Sequence, residues 1–270
     1  MSNYYNPRKT RNIFDPLRHG LGQAKEPFRL SRSKIDLYLN CQRCFYLDRR
    51  MGLGQPPGYP FSLNSAVDAL LKKEFDIHRA GKTVHPLMEA YGLDAVPFQH
   101  EKMDEWRDSM RRGIQYLHRQ TNLLITGGVD DVWVDSRGEL IIADYKATSK
   151  SGEVSLDADW QDGYKRQMEI YQWLFRQNGF KVSPTGYFVY CNGDADKEAF
   201  DGKLEFSVKL IPYLGNDSWI EKVILDIYKC LTTDILPESN PGCDYCLYRE
   251  VAGEIEEKIK SNKPRQKNLF

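Results

Sequence analysis

Residues 127–146 constrain the chain most. They read Gly127-Gly128-Val129-Asp130-Asp131-Val132-Trp133-Val134, then Asp135-Ser136-Arg137-Gly138, then Glu139-Leu140-Ile141-Ile142-Ala143-Asp144-Tyr145-Lys146. Both arms are rich in β-branched residues, and the stretch between them is turn chemistry with Gly138 free to take positive φ, so the segment reads as a β-hairpin. Side chains alternate along a strand: Leu140, Ile142, Asp144 and Lys146 share one face of the second arm, and Asp130, Val132 and Val134 share one face of the first. If the turn pairs Asp135 with Glu139, Asp130 lies opposite Asp144 with Cβ atoms roughly 5 Å apart; a one-residue change of register makes the pair diagonal. Carboxylates that close repel one another unless a divalent cation sits between them. Lys146 reaches the same spot with a positive charge. Two acids for a hard cation plus an ammonium are the equipment of metal-dependent phosphodiester hydrolysis, although an exposed hairpin end with a solvated Asp and Lys satisfies the same pattern.

Gly128-Val129-Asp130 followed by Ile142-Ala143-Asp144-Tyr145-Lys146 resembles the signature of the PD-(D/E)XK nuclease superfamily, more narrowly its RecB-like branch, in which G-x-x-D or G-x-D precedes D-Y-K. The resemblance implies an α/β fold of restriction-endonuclease type, a mixed β-sheet flanked by helices. It further implies that Asp130, Asp144 and the carbonyl of Tyr145 hold Mg²⁺ or Mn²⁺ and that Lys146 is the catalytic lysine. The proline of the family name is absent. A helix is expected over residues 159–177, with Gln167 and Tyr171 at i and i+4 on one side. That pair resembles the Q-x-x-x-Y motif that follows D-x-K in the branch and helps hold the active site and DNA; read alone, such residues are core-flanking polar groups.

The helix expected over residues 64–79 turns Ala66, Val67, Leu70, Leu71 and Phe75 inward. In the RecB-like branch this helix opens with glycine and carries a metal-facing histidine four residues on, where this chain has Asn64 and Asp68. A carboxylate suits a hard cation at least as well as an imidazole. Asp68 is therefore either a further metal ligand or the ion-pair partner of Lys72 at i+4.

Cys41-Gln42-Arg43-Cys44 and Cys243-Asp244-Tyr245-Cys246 are two C-x-x-C pairs some two hundred residues apart. Together they can make one four-thiolate site, and both tetrahedral zinc and a four-iron cluster accept four thiolates. The segment from Leu30-Ser31-x-Ser33 to Cys41-x-Arg43-x-Phe45-Tyr46-Leu47 resembles the N-terminal part of the iron-sulfur nucleases, a group that includes the AddB nuclease domain and CRISPR-associated adaptation nucleases. This implies a 4Fe-4S cluster. Those enzymes usually place one cysteine early and three late; the two-and-two arrangement here keeps Zn²⁺ open. Cys191 and Cys230 have no partner spacing and read as buried thiols.

Other expected elements are helices over residues 33–51 and 103–119 and strands over 186–191 and 204–210, with a loosely packed basic arm at 1–29, the nuclease domain at 30–250 and a basic tail at 251–270. At 270 residues, 41% hydrophobic and 28% charged, the chain has the composition of an ordinary globular protein and is long enough for an enzyme. Without an apolar run near the roughly 18 residues of a membrane span or a signal-peptide core, it reads as cytoplasmic with no membrane partner. Lysine plus arginine equal aspartate plus glutamate at 38 each, so contact with DNA must come from local patches. The tail ends Gln266-Lys267-Asn268-Leu269-Phe270, and Q-x-x-L-F resembles the peptide by which bacterial DNA-processing enzymes dock on the sliding clamp, with Gln266, Leu269 and Phe270 as contacts; a chance ending fits too. The reading is a metal-dependent nuclease acting on DNA, an exonuclease of repair, recombination or replication. The alternative is a catalytically inactive nucleic-acid-binding or assembly protein that retains the fold and the cysteine site.

Overall fold

The computed structural model describes residues 12–22, 25–56, 58, 62–156, 158 and 161–261, so Gln266, Leu269 and Phe270 lie outside the described residues. In chain order the elements are α1 (Pro16–His19), β1 (Phe28–Ser31), α2 (Arg32–Asn40), α3 (Gln42–Arg49), α4 (Ser62–Gly81), α5 (Pro86–Ala90), β2 (Ala95–Pro97), α6 (Met103–Arg107), β3 (Ile114–His118), β4 (Leu123–Gly127), β5 (Asp131–Asp135), β6 (Leu140–Thr148), α7 (Asp162–Gln177), β7 (Thr185–Gly193), β8 (Phe206–Leu214), α8 (Ile220–Thr232) and α9 (Asp244–Ser261).

The hairpin closes in the expected register. The Asp135 N–H donates to the Glu139 carbonyl at 3.1 Å, Gly138 sits at φ 76°, and Asp131 pairs with Ala143 and Val132 with Ile142. The hairpin is the middle of a five-stranded sheet ordered β2-β5-β6-β7-β8, in which only β6 and β7 run parallel. A parallel pair needs a crossover, and α7 supplies it.

Alternation then sorts the layers. Val132, Leu140, Ile142 and Phe188 pack on the side of Met168, Ile170 and Leu174 from α7. Trp133, Ile141, Ala143, Tyr145 and Val189 pack on the other side, against Leu71 and Phe75 of α4 and Met88 of α5. A second, three-stranded sheet ordered β1-β4-β3 lies beside α2 and α7. The fold is thus the expected mixed α/β core flanked by helices.

Four local expectations differ from what forms. The helix over 33–51 is two helices, broken where Cys41 adopts φ −162° and ψ 111°. The helix over 103–119 stops at Arg107. Gly113 takes φ 72° at a point where a Cβ would strike the Gly127 carbonyl, and the chain leaves it as β3 to pair with β4. The apolar spacing there served a strand. β1 to β4 were not expected. At the N-terminal end, residues 12–22 are not loose: Phe14 is fully buried, meets Phe28 edge-on at 5.3 Å, and its N–H donates to the Arg49 carbonyl at 2.7 Å.

α2 and α3 are held together by a buried charge. Asp48 accepts two hydrogen bonds from Arg49, each 2.9 Å, and pairs with Lys34 at 2.6 Å. Burial opposes its ionisation, but the bonds from Arg49 and Lys34 outweigh it and hold the carboxyl below the usual carboxylate range. A depressed folded-state pKa contributes stability above the unfolded value that is lost as pH falls through the folded one. Asp48→Asn is therefore expected to destabilise the protein by about 3 kcal/mol at pH 7, a gap that closes in strong acid; urea denaturation at both pH values measures it.

Candidate active site

Of the two adjacent acids, the strand hides one and presents the other. Asp131, the first residue of β5, is wholly buried and accepts from Arg79, from Arg107 Nη2 at 3.0 Å, from Tyr145 OH at 2.9 Å, from Trp133 Nε1 at 3.2 Å and from its neighbour's Val132 N–H at 2.8 Å. Asp76 on α4 bridges the two arginines, 2.9 Å from Arg79 and 2.9 Å from Arg107. Arg107 Nε also donates to the Asp130 carbonyl at 3.0 Å. The backbone of Asp130 is thus fixed by the ion cluster around its neighbour, while its own side chain points elsewhere. Its Oδ2 accepts the Tyr145 N–H at 2.9 Å and its Oδ1 faces Lys72 Nζ at 3.4 Å.

Asp144 and Lys146, two apart on β6, share the face that α7 covers. Asp144 is fully buried. Its Oδ1 accepts from Gln167 Nε2 at 2.7 Å, while Oδ2 lacks an aligned hydrogen bond and lies against the Lys146 ammonium. Gln167 Nε2 also reaches Tyr171 OH at 3.1 Å, and Gln167 Oε1 faces Lys146 Nζ at 3.4 Å. Lys146 sits over the Tyr164 ring, 4.3 Å from its centroid. Burial pushes Asp144 up to about 6 against the pull of Lys146, and repulsion from Asp130 adds to the rise. For Lys146 burial works against the charge, but Asp144 and Asp130 outweigh it and raise the ammonium above its usual range.

From the opposite side of the sheet α4 brings Asp68. Its Oδ2 pairs with Lys72 at 2.8 Å, the i+4 partner that the sequence offered as one alternative, and Lys72 in turn bridges to Asp130. Burial and then, against the pull of Lys72, repulsion from Asp130 raise the Asp68 pKa. Asn64, one turn earlier, donates to the Ala147 carbonyl at 3.0 Å. The three carboxylates do not converge on one point, for Lys72 stands between Asp68 and Asp130 and Lys146 against Asp144. A cleft of about 100 Å³ lined by Asn64, Val67, Asp68, Tyr145, Lys146, Ala147 and Tyr164 opens onto this cluster.

The cysteines do converge. Cys41, Cys44, Cys243 and Cys246 place all four sulfurs within 4.8 Å of one another, and they are the one group of three or more potential metal ligands to do so among the described residues. Cys44 lies 3.5 Å from Cys243 and 3.6 Å from Cys246, and Cys41 lies 3.8 Å from Cys246. The break at Cys41 explains the first pair. It frees the turn, and although burial opposes ionisation, hydrogen bonds from the backbone N–H groups of Asn240 and Cys44 and from neighbouring thiols draw Cys41 down to about 7. The donor set is four soft sulfurs, which suits zinc or iron and not a hard cation. Cys191 is a buried thiol as expected, and Cys230 is only partly buried.

Sequence reasoning missed Arg79, Arg107, Asp76, Lys72 as a bridge, and Tyr164. Alternation carried part of the signal, since Asp130 and Asp131 must point to opposite faces. It also missed why the segment opens Gly127-Gly128. A Cβ on Gly128 would run into Ser109, and one on Gly127 would lie 2.7 Å from Tyr171 Cε1. Gly127→Ala is expected to destabilise the protein by about 1–3 kcal/mol through overpacking. In a double-mutant cycle with Tyr171→Ala the loss should be strongly non-additive, read by urea denaturation, because the second change opens the space.

Comparison with known proteins bears on this site. No curated protein matches the chain at a significant level. The crystal structure of SSO0001 aligns with 84% of this chain and 86% of that one at 17% identity and a TM-score of 0.35, a likeness too low to argue from. The sequence profile of the PD-(D/E)XK nuclease superfamily matches residues 98–251, which include the hairpin, α7 and the late cysteine pair. With more than half its length under that profile, the chain belongs to the PD-(D/E)XK nuclease superfamily.

Proposed function

We propose that the protein is a divalent-metal-dependent nuclease of the RecB-like branch that hydrolyses phosphodiester bonds in DNA, working as an exonuclease in repair, recombination or replication in the cytoplasm. The observation that carries this is the division of labour within each carboxylate. Asp130 commits Oδ2 to the Tyr145 N–H and leaves Oδ1 to Lys72; Asp144 commits Oδ1 to Gln167 and leaves Oδ2 to Lys146. Each acid is thus oriented by the protein through one oxygen and offers the other to a cation. The two lysines neutralise the free oxygens, and the hard-oxygen donor set fits Mg²⁺ or Mn²⁺.

In this reading Asp130, Asp144 and the Tyr145 carbonyl hold the metal, with Asp68 as a further ligand once Lys72 has moved aside. A bound divalent ion would polarise the phosphate and lower the pKa of a coordinated water. Lys146, kept charged by the acids around it, transfers its contact from Asp144 to the phosphate and stabilises the charge that develops there. Gln167 and Tyr171 hold Asp144 in one orientation while this happens. Docking on the sliding clamp through Gln266, Leu269 and Phe270 is proposed from the residue pattern alone.

The cysteine clasp is proposed to hold one zinc ion, the alternative to the 4Fe-4S cluster that the resemblance implies. With zinc–sulfur bonds of 2.3 Å, a tetrahedral site sets its sulfurs about 3.8 Å apart, which the 3.5, 3.6 and 3.8 Å separations approach. A 4Fe-4S cluster stands between its thiolates and would spread them further.

Asp144→Asn and Lys146→Ala are each expected to lower divalent-dependent cleavage of end-labelled DNA at least a hundredfold while circular dichroism stays native. Unchanged cleavage in either variant would falsify the assignment, and a wild-type protein that binds DNA without cutting it would favour the non-catalytic alternative. Protein purified without air should be colourless with one equivalent of zinc, and Cys44→Ser should lose the metal and several degrees of thermal midpoint. A brown protein with iron and sulfide would replace zinc by the cluster.

A further inference from the structure

Arg32 opens α2 and is partly buried. Three contacts around it locate its side of the site. Ser31, just before it, pairs with Thr126 in the β1–β4 ladder. The next residue of β4, Gly127, packs on the ring of Tyr171. One turn further along α2, Asp36 grips Arg166 of α7 at 2.6 Å, next to Gln167. The first turn of α2 thus lies along the stretch of α7 that carries Gln167 and Tyr171. The Arg32 charge is felt there, for it favours the ionised forms of both Asp144 and Tyr171.

Among the described residues Arg32 has nevertheless taken no partner. Every other buried or partly buried arginine among the described residues donates to a carboxylate, a carbonyl or a hydroxyl: Arg29 to two carbonyls, Arg49 to Asp48, Arg79 and Arg107 to Asp131, Arg166 to Asp36, Arg176 to Asp217, and Arg43 and Arg50 likewise. Arg32 has no hydrogen bond and no ion pair among the described residues. None of its nitrogens is shut away from water, so the guanidinium stays open to an incoming anion, whose oxygens match its donors. The neighbouring anion, Asp144, is already held by Gln167 and Lys146. The chain has no net positive charge to gather a polyanion, so phosphate has to be held by individually placed cations.

We propose that Arg32 is a substrate-binding residue whose guanidinium grips the non-bridging oxygens of a backbone phosphate beside the one being hydrolysed. The proposal rests on the nuclease reading. The planar fork of arginine matches two phosphate oxygens at once, which fixes the strand's position along the cleft as well as its presence.

The test uses Arg32→Gln, Arg32→Lys and the wild-type chain, with a set of oligodeoxynucleotides each carrying one uncharged methylphosphonate linkage at a different position. Because Arg32 holds no hydrogen bond or ion pair among the described residues, Arg32→Gln should keep the wild-type thermal midpoint. It should raise KM about tenfold with a smaller fall in kcat, and it should reduce the slope of log affinity against log salt by about one phosphate contact. Arg32→Lys should recover part of the affinity. In the scan, one linkage next to the cut should slow the wild type and leave Arg32→Gln no slower than it already is. An unchanged KM and salt slope in Arg32→Gln, or equal sensitivity of both proteins at every linkage, overturns the proposal while leaving the nuclease reading intact. A wild type that cuts no oligonucleotide overturns the nuclease reading instead, and fluorescence anisotropy with the same set then decides Arg32 by the same slope and the same linkage. A wild type that neither cuts nor binds overturns both. Should Arg32→Gln fail to fold, the wild-type scan and Arg32→Lys carry the decision: no sensitive linkage beside the cut overturns the proposal.

Discussion

Asp131 is shut away from water, and two arginines from two different helices come to it there. Arg79 reaches it from α4 and Arg107 from α6, while the hydroxyl of Tyr145 reaches it from β6. Removing one partner from a buried pair of this kind typically costs roughly 3–5 kcal/mol, because the charge left behind has no water to turn to. The cluster therefore pins α4, α6, β5 and β6 to one point. That point is one residue from Asp130, and the bond from Arg107 to the Asp130 carbonyl passes the rigidity on. The half-buried acid owes its position to the hidden one.

The same sheet that hides Asp131 brings together groups from both of its faces. Asp144 and Lys146 look towards α7, where Gln167 and Tyr171 receive them. Asp68 comes from α4 on the opposite face and meets Asp130 through Lys72. Asp144 and Lys146 sit on a strand, and Asp68, Gln167 and Tyr171 on helices, that are packed into the cores, so the geometry of the site is inherited from two cores. Relaxation in either core would be felt at the carboxylates.

Much of this was legible in the chain because strands alternate and tight turns fix register. Gly138 and the pairing of Asp135 with Glu139 were enough to set Asp130 opposite Asp144, and i, i+4 spacing was enough to aim Gln167 and Tyr171 together. The cysteine spacing foretold the clasp. What escaped was decided by distant partners. The apolar spacing after Met103 suits a helix locally, but the edge of β4 needed a neighbour and Gly113 let the chain turn to supply one. Tertiary pairing overrode local pattern there. Arg32 sits within Ser31-Arg32-Ser33, which as sequence is helix-cap chemistry. Nothing in its flanking residues says that its side chain would lack a partner among the described residues, since that depends on α7 and β4 coming from far along the chain.

The clasp has a consequence for the order in which the molecule can be assembled. It joins Cys41 and Cys44 to Cys243 and Cys246, and beside it the side-chain amide of Asn240 donates to the carbonyl of Asn40 at 3.0 Å, where α2 ends. A cross-link closing a loop of some two hundred residues removes about 5 kcal/mol worth of freedom from the unfolded chain in the simplest polymer account. Yet it cannot act until both halves of the ligand set exist. During synthesis the sheet, α4 and α7 emerge well before the second cysteine pair, so α2 and α3 must be held by weaker contacts in the interval. Capture of a metal by these thiols, as proposed above, would then be a late, chain-length-dependent latch. It would seal the ends of the domain only after nearly all of the domain had been synthesised.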